Sequence, residues 1–245
     1  MNLAVLSDIH GHYTALDAVL NDLSRQHIDS VVCLGDVATI GPQPLEVIAR
    51  LKSLGCACIM GNHDAALLNP ANAPQLLIPP PLRPTLEWCA GQLAPDDVAY
   101  LASFQPVLNL SLGPGAEVLC FHGTPGSNIG LLLPTTPVEE LDGLLAGQPA
   151  TFFIGGHSHL QMLRQHGGKL FINPGSVGSA FAQLPAPGVT PALLPWAEYA
   201  IVSWESGVVS VDLRRVPFDI AAFYEVVSQS DIPLKQWWLQ QYGPA

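Results

Sequence analysis

The sequence has few charged residues, and only a minority of those are basic. Charged side chains make up 12% of the 245 residues, about half of the usual share of ~25%. Nine Lys and Arg stand against 20 Asp and Glu, which gives a formal net charge of −11. A protein this acidic lacks the basic surface that non-specific binding to nucleic acid or to anionic membranes requires. We therefore expect neither kind of partner.

Long apolar runs and a leader pattern are also missing. No run reaches the ~18 consecutive apolar residues that a membrane-spanning helix needs. Residues 1–6 show neither the basic region nor the small-residue cleavage site of a signal peptide. The five cysteines are odd in number and have no framework spacing, which is typical of a reducing compartment. Together these features predict a cytoplasmic protein without membrane contact.

The first third of the chain alternates between strand and helix patterns. Short apolar runs at 3–6, 31–34 and 58–60 predict buried strands. Apolar residues at helical spacing predict helices over 14–23 and 44–54. Strands that alternate with helices form βαβ units, so we expect a largely parallel sheet.

The rest of the chain contains more strands and fewer helices, which suggests a second sheet packed on the first. Strands are predicted over 107–112, 118–121, 152–154 and 170–173 and a hairpin over 199–204 and 208–213, with helices over 95–104 and 220–241. We expect a single domain over residues 1–245, made of a core, 1–215, and a C-terminal helical tail, 216–245. A proline at 233 should interrupt the tail.

Two proline-rich segments are poor in charge. Residues 69–84 are predicted to form a loop that could act as a lid, and residues 180–195 form a second excursion without charged side chains. Loops of this kind commonly border a binding cleft and set its selectivity. We expect that role for both.

Potential ligands follow five of the predicted strands. Each of these strands ends in a glycine beside Asp, Asn or His, and ligands bind just outside the carboxyl ends of strands in α/β sheets. We expect the following side chains to meet at this edge: Asp8, His10, Asp36, Asn62, His122, His157 and His159.

This set of oxygen and imidazole ligands, without a thiolate, suits Mn, Fe, Zn, Ni or Co. Seven ligands are too many for one open catalytic metal and fit two divalent ions, which in phosphoester hydrolysis lie ~3.5–4 Å apart. Asp8 and His10 are two residues apart, as are His157 and His159. In extended backbone each pair would therefore point to one side. Capping of helices could explain Asp8 or Asp36 alone, but it does not explain the matching histidines.

The order D-x-H, G-D, G-N-H-D, H-G and G-H-x-H resembles the calcineurin-like metallophosphoesterase superfamily. The stretch Asn173–Gly178 is similar to its small bacterial and archaeal phosphodiesterase branch, whose relatives include a retromer subunit that has lost catalysis. The motifs span residues 8–178, and no ligand position departs from the pattern. The resemblance implies an α/β fold, a four-layer αββα sandwich in which helices flank two mixed β-sheets and the metal site lies at the strand C-terminal loops. It also implies that Asn173–Gly178 supports the metal loops.

The resemblance further implies two divalent transition-metal ions, with manganese favoured, bridged by Asp36. The remaining ligands divide between the two ions: Asp8, His10 and His159 for the first, and Asn62, His122 and His157 for the second.

The implied reaction is hydrolysis of a phosphodiester by a hydroxide that bridges the metals, with phosphomonoesters as a further candidate substrate. His63, near its ordinary pKa of ~6.5, would protonate or stabilise the leaving oxygen. Asp64 would hold the ring of His63. His12, one turn after Asp8, is a candidate for contact with the substrate.

Two other functions remain open. A nucleotide-specific hydrolase, such as a diadenosine tetraphosphatase, fits the same ligands, and an aromatic clamp for adenine would distinguish it. A non-catalytic scaffold of the same fold is disfavoured by the intact ligand set. The pair Trp237 and Trp238 is interpreted as core packing, with a homo-oligomer contact as the alternative.

Overall fold

The computed structural model describes residues 1–185, 189 and 191–242. The ten strands of this part of the chain are β1 Asn2–Leu6, β2 Ser30–Cys33, β3 Ala57–Cys58, β4 Val107–Ser111, β5 Glu117–Phe121, β6 Phe152–Ile154, β7 Met162–His166, β8 Lys169–Asn173, β9 Ala197–Glu205 and β10 Val208–Val216. Its α-helices are α1 Tyr13–Leu23, α2 Pro44–Leu54, α3 Asn62–Leu68, α4 Arg83–Ala90, α5 Pro95–Ala102, α6 Val138–Leu145, α7 Ile220–Gln229 and α8 Lys235–Trp238.

The strands form two five-stranded mixed sheets. Their orders are β10-β9-β1-β2-β3 and β4-β5-β6-β8-β7. In the first sheet β1, β2 and β3 are parallel, and β9 returns antiparallel to β1. In the second sheet β5, β6 and β8 are parallel. In the first sheet the strands β1, β2 and β3, and in the second sheet the strands β5 and β6, each end in a loop that carries candidate ligands.

Alternation along β1 shows why the molecule has four layers. Leu3 and Val5 lie in the apolar core between the two sheets. Ala4 and Leu6 point the other way, into the core beneath the helices. A strand that is apolar on both faces must be covered on both faces. The αββα architecture expected from the sequence is thereby confirmed.

Short elements account for the main differences from the sequence prediction. Helices α3, α4 and α6 and strand β7 were not predicted, since each is only five to eight residues long. The segment 69–84 is not one loop: it contains two single 3₁₀ turns, and Arg83 already begins α4. Part of the excursion 180–195 lies outside the described residues, namely 186–188 and 190.

The C-terminal tail packs on the loop that follows β2. Its two helices stop and restart around Pro233, as predicted. Trp238 is fully buried, and its Nε1 donates a hydrogen bond of 2.7 Å to the backbone oxygen of Ile40. The core-packing interpretation of Trp238 is therefore confirmed. Residues 243–245 lie outside the described part of the chain.

None of the helices described is both long enough and apolar enough to span a lipid bilayer.

Candidate metal centre

The loops after β1 and β2 are joined by main-chain hydrogen bonds. The amide of Asp8 donates to the oxygen of Gly35 at 3.0 Å, and the amide of His10 donates to the oxygen of Asp36 at 2.9 Å. These two bonds fix the spacing between the first two predicted ligand positions and Asp36.

Five of the seven predicted ligands have left-handed backbone conformations. Their φ angles are 54° at Asp8, 51° at His10, 56° at Asp36, 65° at His157 and 57° at His159. The expectation that extended backbone aligns the side chains of each pair is therefore wrong. The loops instead turn sharply at each ligand, and strain of this kind is typical of functional sites.

Asp8, His10 and His159 form one candidate ligand group, with one ligand atom from each lying within 4.8 Å of the others. The Nε2 of His159 lies 3.3 Å from Asp8 Oδ1 and 3.1 Å from the Nε2 of His10. All three side chains are at most 8% exposed. This is the set that the sequence assigned to a first metal.

Asp36, His122 and His157 form a second group, again within 4.8 Å of one another. The Nε2 of His122 lies 3.3 Å from Asp36 Oδ2 and 3.2 Å from the Asn62 side-chain oxygen. The structure thus brings Asn62 to this group as well. All seven predicted ligands lie in one site.

Hydrogen bonds to the far side of two histidine rings fix which ring nitrogen faces the site. The Nδ1 of His122 faces the backbone oxygen of Leu34 at 2.8 Å, and the Nδ1 of His159 faces that of Ser179 at 2.7 Å. Because a carbonyl only accepts, each Nδ1 carries a proton, and Nε2 is the ring nitrogen of each histidine that faces the site.

Asp8 Oδ1 is also buried there without a hydrogen-bond partner in the described chain. Buried acceptor atoms need a donor or a cation as partner. A site into which carboxylate oxygens and imidazole nitrogens converge therefore fits bound cations. The residues present therefore fit divalent metal ions.

The local electrostatics also favour positive charge. Burial opposes ionisation of Asp8 and Asp36, but His159 and His122 outweigh it and hold the pKa of both carboxyls below the usual range. Burial lowers the pKa of His122, yet Asp36 beside it raises that pKa to about 10. A site that stabilises a proton this strongly stabilises a cation in the same place.

His63 lies beside the two groups rather than in them. Its ring packs edge-on against His10 with 4.9 Å between centroids, and the residue is 9% exposed. Burial lowers the pKa of His63, and Asp36 offsets only part of this effect. The expectation of an ordinary pKa is therefore wrong, and the neutral ring is the main form at neutral pH.

Asp64 does not hold the ring of His63. Its carboxylate accepts three backbone N–H groups, from Asp36 at 2.6 Å, Val37 at 2.9 Å and Gly61 at 3.0 Å. The His63 Nδ1 has no hydrogen-bond partner among the described residues. The predicted role of Asp64 is thus corrected: at the third position of α3 it turns back to fasten the Asp36 loop to the start of the helix.

His12 is not placed to touch a substrate. It is fully buried, stacks on Phe223 with 3.8 Å between ring centroids, and caps α1 by accepting from the Ala15 amide at 3.1 Å. Burial lowers its pKa to about 3. The interpretation of His12 as a substrate-binding residue is therefore wrong, because the aromatic C-terminal tail covers it.

Several supporting contacts were not predicted individually. Ser7 Oγ donates to Asp8 Oδ2 at 2.6 Å, and Ser176 Oγ donates to the Asp8 backbone oxygen at 2.7 Å. Asn173 Nδ2 donates to the oxygen of Gly156 at 2.8 Å. The last two residues belong to the stretch 173–178, which indeed contacts the loops bearing the candidate ligands. Ser7 precedes Asp8 directly, and that position is the only signal for it in the sequence.

Comparison with known proteins places this architecture in a family. The profile of the calcineurin-like phosphoesterase superfamily domain matches residues 1–194. The chain therefore belongs to the calcineurin-like phosphoesterase superfamily, whose members use divalent metals.

Relatives of similar length have been identified in archaea and bacteria. An uncharacterised protein of Methanocaldococcus jannaschii is 26% identical over 94% of this chain and 93% of its own. Among solved structures, a hypothetical protein of Pyrococcus horikoshii is 22% identical and superposes with a TM-score of 0.82, covering 100% of this chain and 99% of its own. A metallophosphoesterase of Sphaerobacter thermophilus is also 22% identical, with a TM-score of 0.74 over 98% of both chains.

A shorter sequence match is to an enzyme whose name states its substrate. The symmetrical bis(5′-nucleosyl)-tetraphosphatase of Proteus mirabilis is 39% identical over 67 residues, which is 26% of this chain and 24% of that enzyme.

Proposed function

We propose that this protein is a two-metal phosphoesterase that hydrolyses phosphodiesters, with phosphomonoesters as possible further substrates. The position of Asp36 is the observation that carries the proposal. Its Oδ2 lies 3.3 Å from the Nε2 of His122 and 3.9 Å from the Nε2 of His10. One carboxylate therefore stands between the two ligand groups, which supports its assignment as the ligand shared by both ions.

The seven candidate ligands would hold the ions. Two divalent ions, when bound, supply Lewis acidity that activates water and offsets the charge on phosphorus. In the overall reaction the oxygen of water bonds to phosphorus and the bond to one alkoxy or aryloxy group breaks. One proton of the water ends on the leaving oxygen, so the products are a phosphomonoester and an alcohol or a phenol. Asp8 and Asp36 neutralise only part of the metal charge, so an anionic phosphate is attracted into an otherwise acidic protein.

His63 is proposed to assist the leaving group. Its ring lies against His10 but is outside both ligand groups. A ring N–H of His63 would donate a hydrogen bond to the leaving oxygen as negative charge develops on it. Hydrogen bonds that strengthen in the transition state accelerate the reaction.

A second candidate function is hydrolysis of dinucleoside polyphosphates. The match to the Proteus mirabilis tetraphosphatase favours it, although that match covers only 26% of this chain. Both candidates use the same ligands and differ in what lies beside the phosphate. We also propose a cytoplasmic location, with which the five free cysteines are compatible.

The test is a paired measurement of metal content and hydrolysis on purified protein. Bis-p-nitrophenyl phosphate, p-nitrophenyl phosphate and diadenosine tetraphosphate are assayed before chelation, after it, and with Mn²⁺ restored. Two metals per chain and diester turnover that chelation abolishes would support the proposal. Metal-loaded protein that hydrolyses only the tetraphosphate would favour the second candidate. Metal without turnover of any of the three would contradict both and favour a scaffold.

A further inference from the structure

Three loops that contact the candidate metal centre contain no charged side chain. They comprise the described residues of the segments 69–82, which includes two 3₁₀ turns, 123–137 and 174–196, and no position in these segments is Asp, Glu, Lys or Arg. We call them the rim loops. The rim loops themselves therefore offer no cationic side chain to an anion bound at the metal centre.

Each rim loop touches the ligand residues or their neighbours. In the first, the backbone oxygen of Leu76 accepts from Asn62 Nδ2 at 3.0 Å. In the second, Asn128 Nδ2 donates to the oxygen of Gly61 at 3.2 Å. In the third, Phe181 stacks on His159 with 4.3 Å between ring centroids. All three loops therefore border the place where a phosphate would bind.

Leu77 is an unusual residue in the first rim loop. Its φ is 58°, in the left-handed region that leucine rarely adopts. Its side chain is also 62% exposed, although Leu76 and Ile78 on either side pack into the main core. Glycine or asparagine would suit this backbone, and a polar residue would suit this exposure.

The position of Leu77 ties it to the ligand Asn62. The carbonyl oxygen of one residue lies ~3 Å from the next Cα. With the 3.0 Å bond between Leu76 O and Asn62 Nδ2, the Leu77 Cα lies within ~6 Å of the Asn62 amide nitrogen. An exposed apolar residue is thus held next to a candidate metal ligand.

We propose that this site takes a phosphodiester with one anionic phosphate and at least one apolar, ring-sized substituent, and that Leu77 contacts the substituent. This inference rests on the proposed function and narrows its substrate class. Leu77 covers an apolar group on one side, and the partly exposed Phe181 offers a ring on the His159 side. Burying such surfaces against each other removes apolar area from water.

The charge distribution disfavours a chain of phosphates. Two divalent ions held beside Asp8 and Asp36 would leave positive charge for one phosphate, whereas additional phosphates would lie over rim loops that lack Lys and Arg. A tetraphosphate would therefore place several anionic groups against uncharged chain. The proposal predicts that it binds less well than a single diester with aromatic substituents.

The test measures binding and turnover separately on Mn²⁺-loaded protein. Calorimetry compares diphenyl phosphate, dimethyl phosphate and inorganic tetraphosphate. Turnover is compared for phenyl p-nitrophenyl phosphate and methyl p-nitrophenyl phosphate, which share one leaving group. The wild type is expected to bind diphenyl phosphate about tenfold more tightly than dimethyl phosphate, with a matching difference in KM.

Two variants isolate Leu77. Leu77→Gly removes the side chain and suits the left-handed backbone at this position. Leu77→Asn also suits that backbone but has a polar side chain of similar size. Both are expected to keep their metal and to lose most of the tenfold preference. Val208→Ala is the control, because Val208 is 64% exposed at the opposite end of the first sheet, next to the β9–β10 turn. It should keep the preference.

The binding results test the substrate class and the role of Leu77, and the turnover results test the proposed phosphoesterase activity. Equal affinity for the two diesters, a preference that survives in both Leu77 variants, or tighter binding of tetraphosphate would overturn the inference. Absence of turnover of either ester, with metal bound, would refute the proposed phosphoesterase. The binding comparison would still decide the role of Leu77.

Discussion

The Nε2 atoms of His10 and His159 face each other at 3.1 Å. The Nδ1 of His159 donates to the Ser179 carbonyl, so Nε2 is the nitrogen of this ring that faces His10. His10 is buried, and burial, followed by His159, lowers its pKa well below the ordinary value. A cation between the two rings satisfies both nitrogens, whereas the unfolded chain offers no such site.

Metal removal should therefore destabilise the protein. A ligand that binds only the folded state at 100 times its Kd contributes ~2.7 kcal/mol, which for a chain of this length corresponds to a Tm change of about 5–10 °C. Differential scanning calorimetry with excess Mn²⁺ and after chelation measures the change. An unchanged Tm in protein shown by elemental analysis to have lost its metal would contradict the assignment of the ligands.

Asp36→Asn should empty at least one metal position. The substitution keeps an oxygen to accept the His63 amide, which lies 2.8 Å from Asp36 Oδ1, but it removes the charge between the two groups. Asp17→Asn serves as the control, because the Asp17 carboxylate lies on α1 and accepts a hydrogen bond from Asn21. Elemental analysis should show fewer than two ions per chain for Asp36→Asn and no loss for the control. Full occupancy in Asp36→Asn would exclude a bridging role.

His63→Ala should keep the metal and lose most of the activity. The ring lies outside both ligand groups, and removal of one hydrogen-bond donor to a developing negative charge typically costs ~10²–10³-fold in kcat. The matched control is His27→Ala, since the His27 side chain is 87% exposed. The measurement is kcat for bis-p-nitrophenyl phosphate beside metal content. Activity within twofold of the wild type would remove His63 from the mechanism.

Asp64→Ala should act mainly by lowering the free energy of unfolding rather than by removing a group that takes part in the reaction. It would leave three backbone N–H groups without their acceptor in a fully buried setting, and each unsatisfied group costs ~1–3 kcal/mol. Urea unfolding should show a loss of at least ~3 kcal/mol, together with weaker metal binding, because Asp36 is no longer fastened to α3. A variant of wild-type stability with low kcat would instead restore the catalytic role that the sequence suggested.

Sequence patterns predicted the two sheets and the gathering of the candidate ligands at one edge because both follow from short-range rules. Buried strands leave apolar runs, and the residues after parallel strands collect at one edge. The backbone at Asp8 and His159 was not predictable in this way, since left-handed turns at nonglycine residues are stabilised by hydrogen bonds from distant loops. The roles of His12 and Asp64 failed for the same reason: Phe223 and the Val37 amide, their partners, are remote in sequence.

The buried network around Asp22 yields a pH-dependent prediction away from the metal centre. Asp22 accepts hydrogen bonds from the Tyr199 hydroxyl at 2.7 Å, Arg214 Nε at 2.9 Å and Arg25 Nη2 at 2.9 Å. Burial opposes its ionisation, but these bonds outweigh burial and lower its pKa. A carboxyl whose folded pKa lies below its unfolded value of ~3.9 stabilises the protein above that pH. The stabilisation is lost as pH falls through the folded pKa.

Asp22→Asn should thus lower the free energy of unfolding by ~1–3 kcal/mol at pH 7. The difference from the wild type should shrink as the pH falls below ~4. Urea unfolding of the metal-free proteins at several pH values between 7 and 3 measures it, which keeps metal release out of the comparison. Asp17→Asn on the same helix should show little change at any pH. A difference between Asp22→Asn and wild type that stays constant down to pH 3 would mean that charge on Asp22 does not hold α1 against β9 and β10.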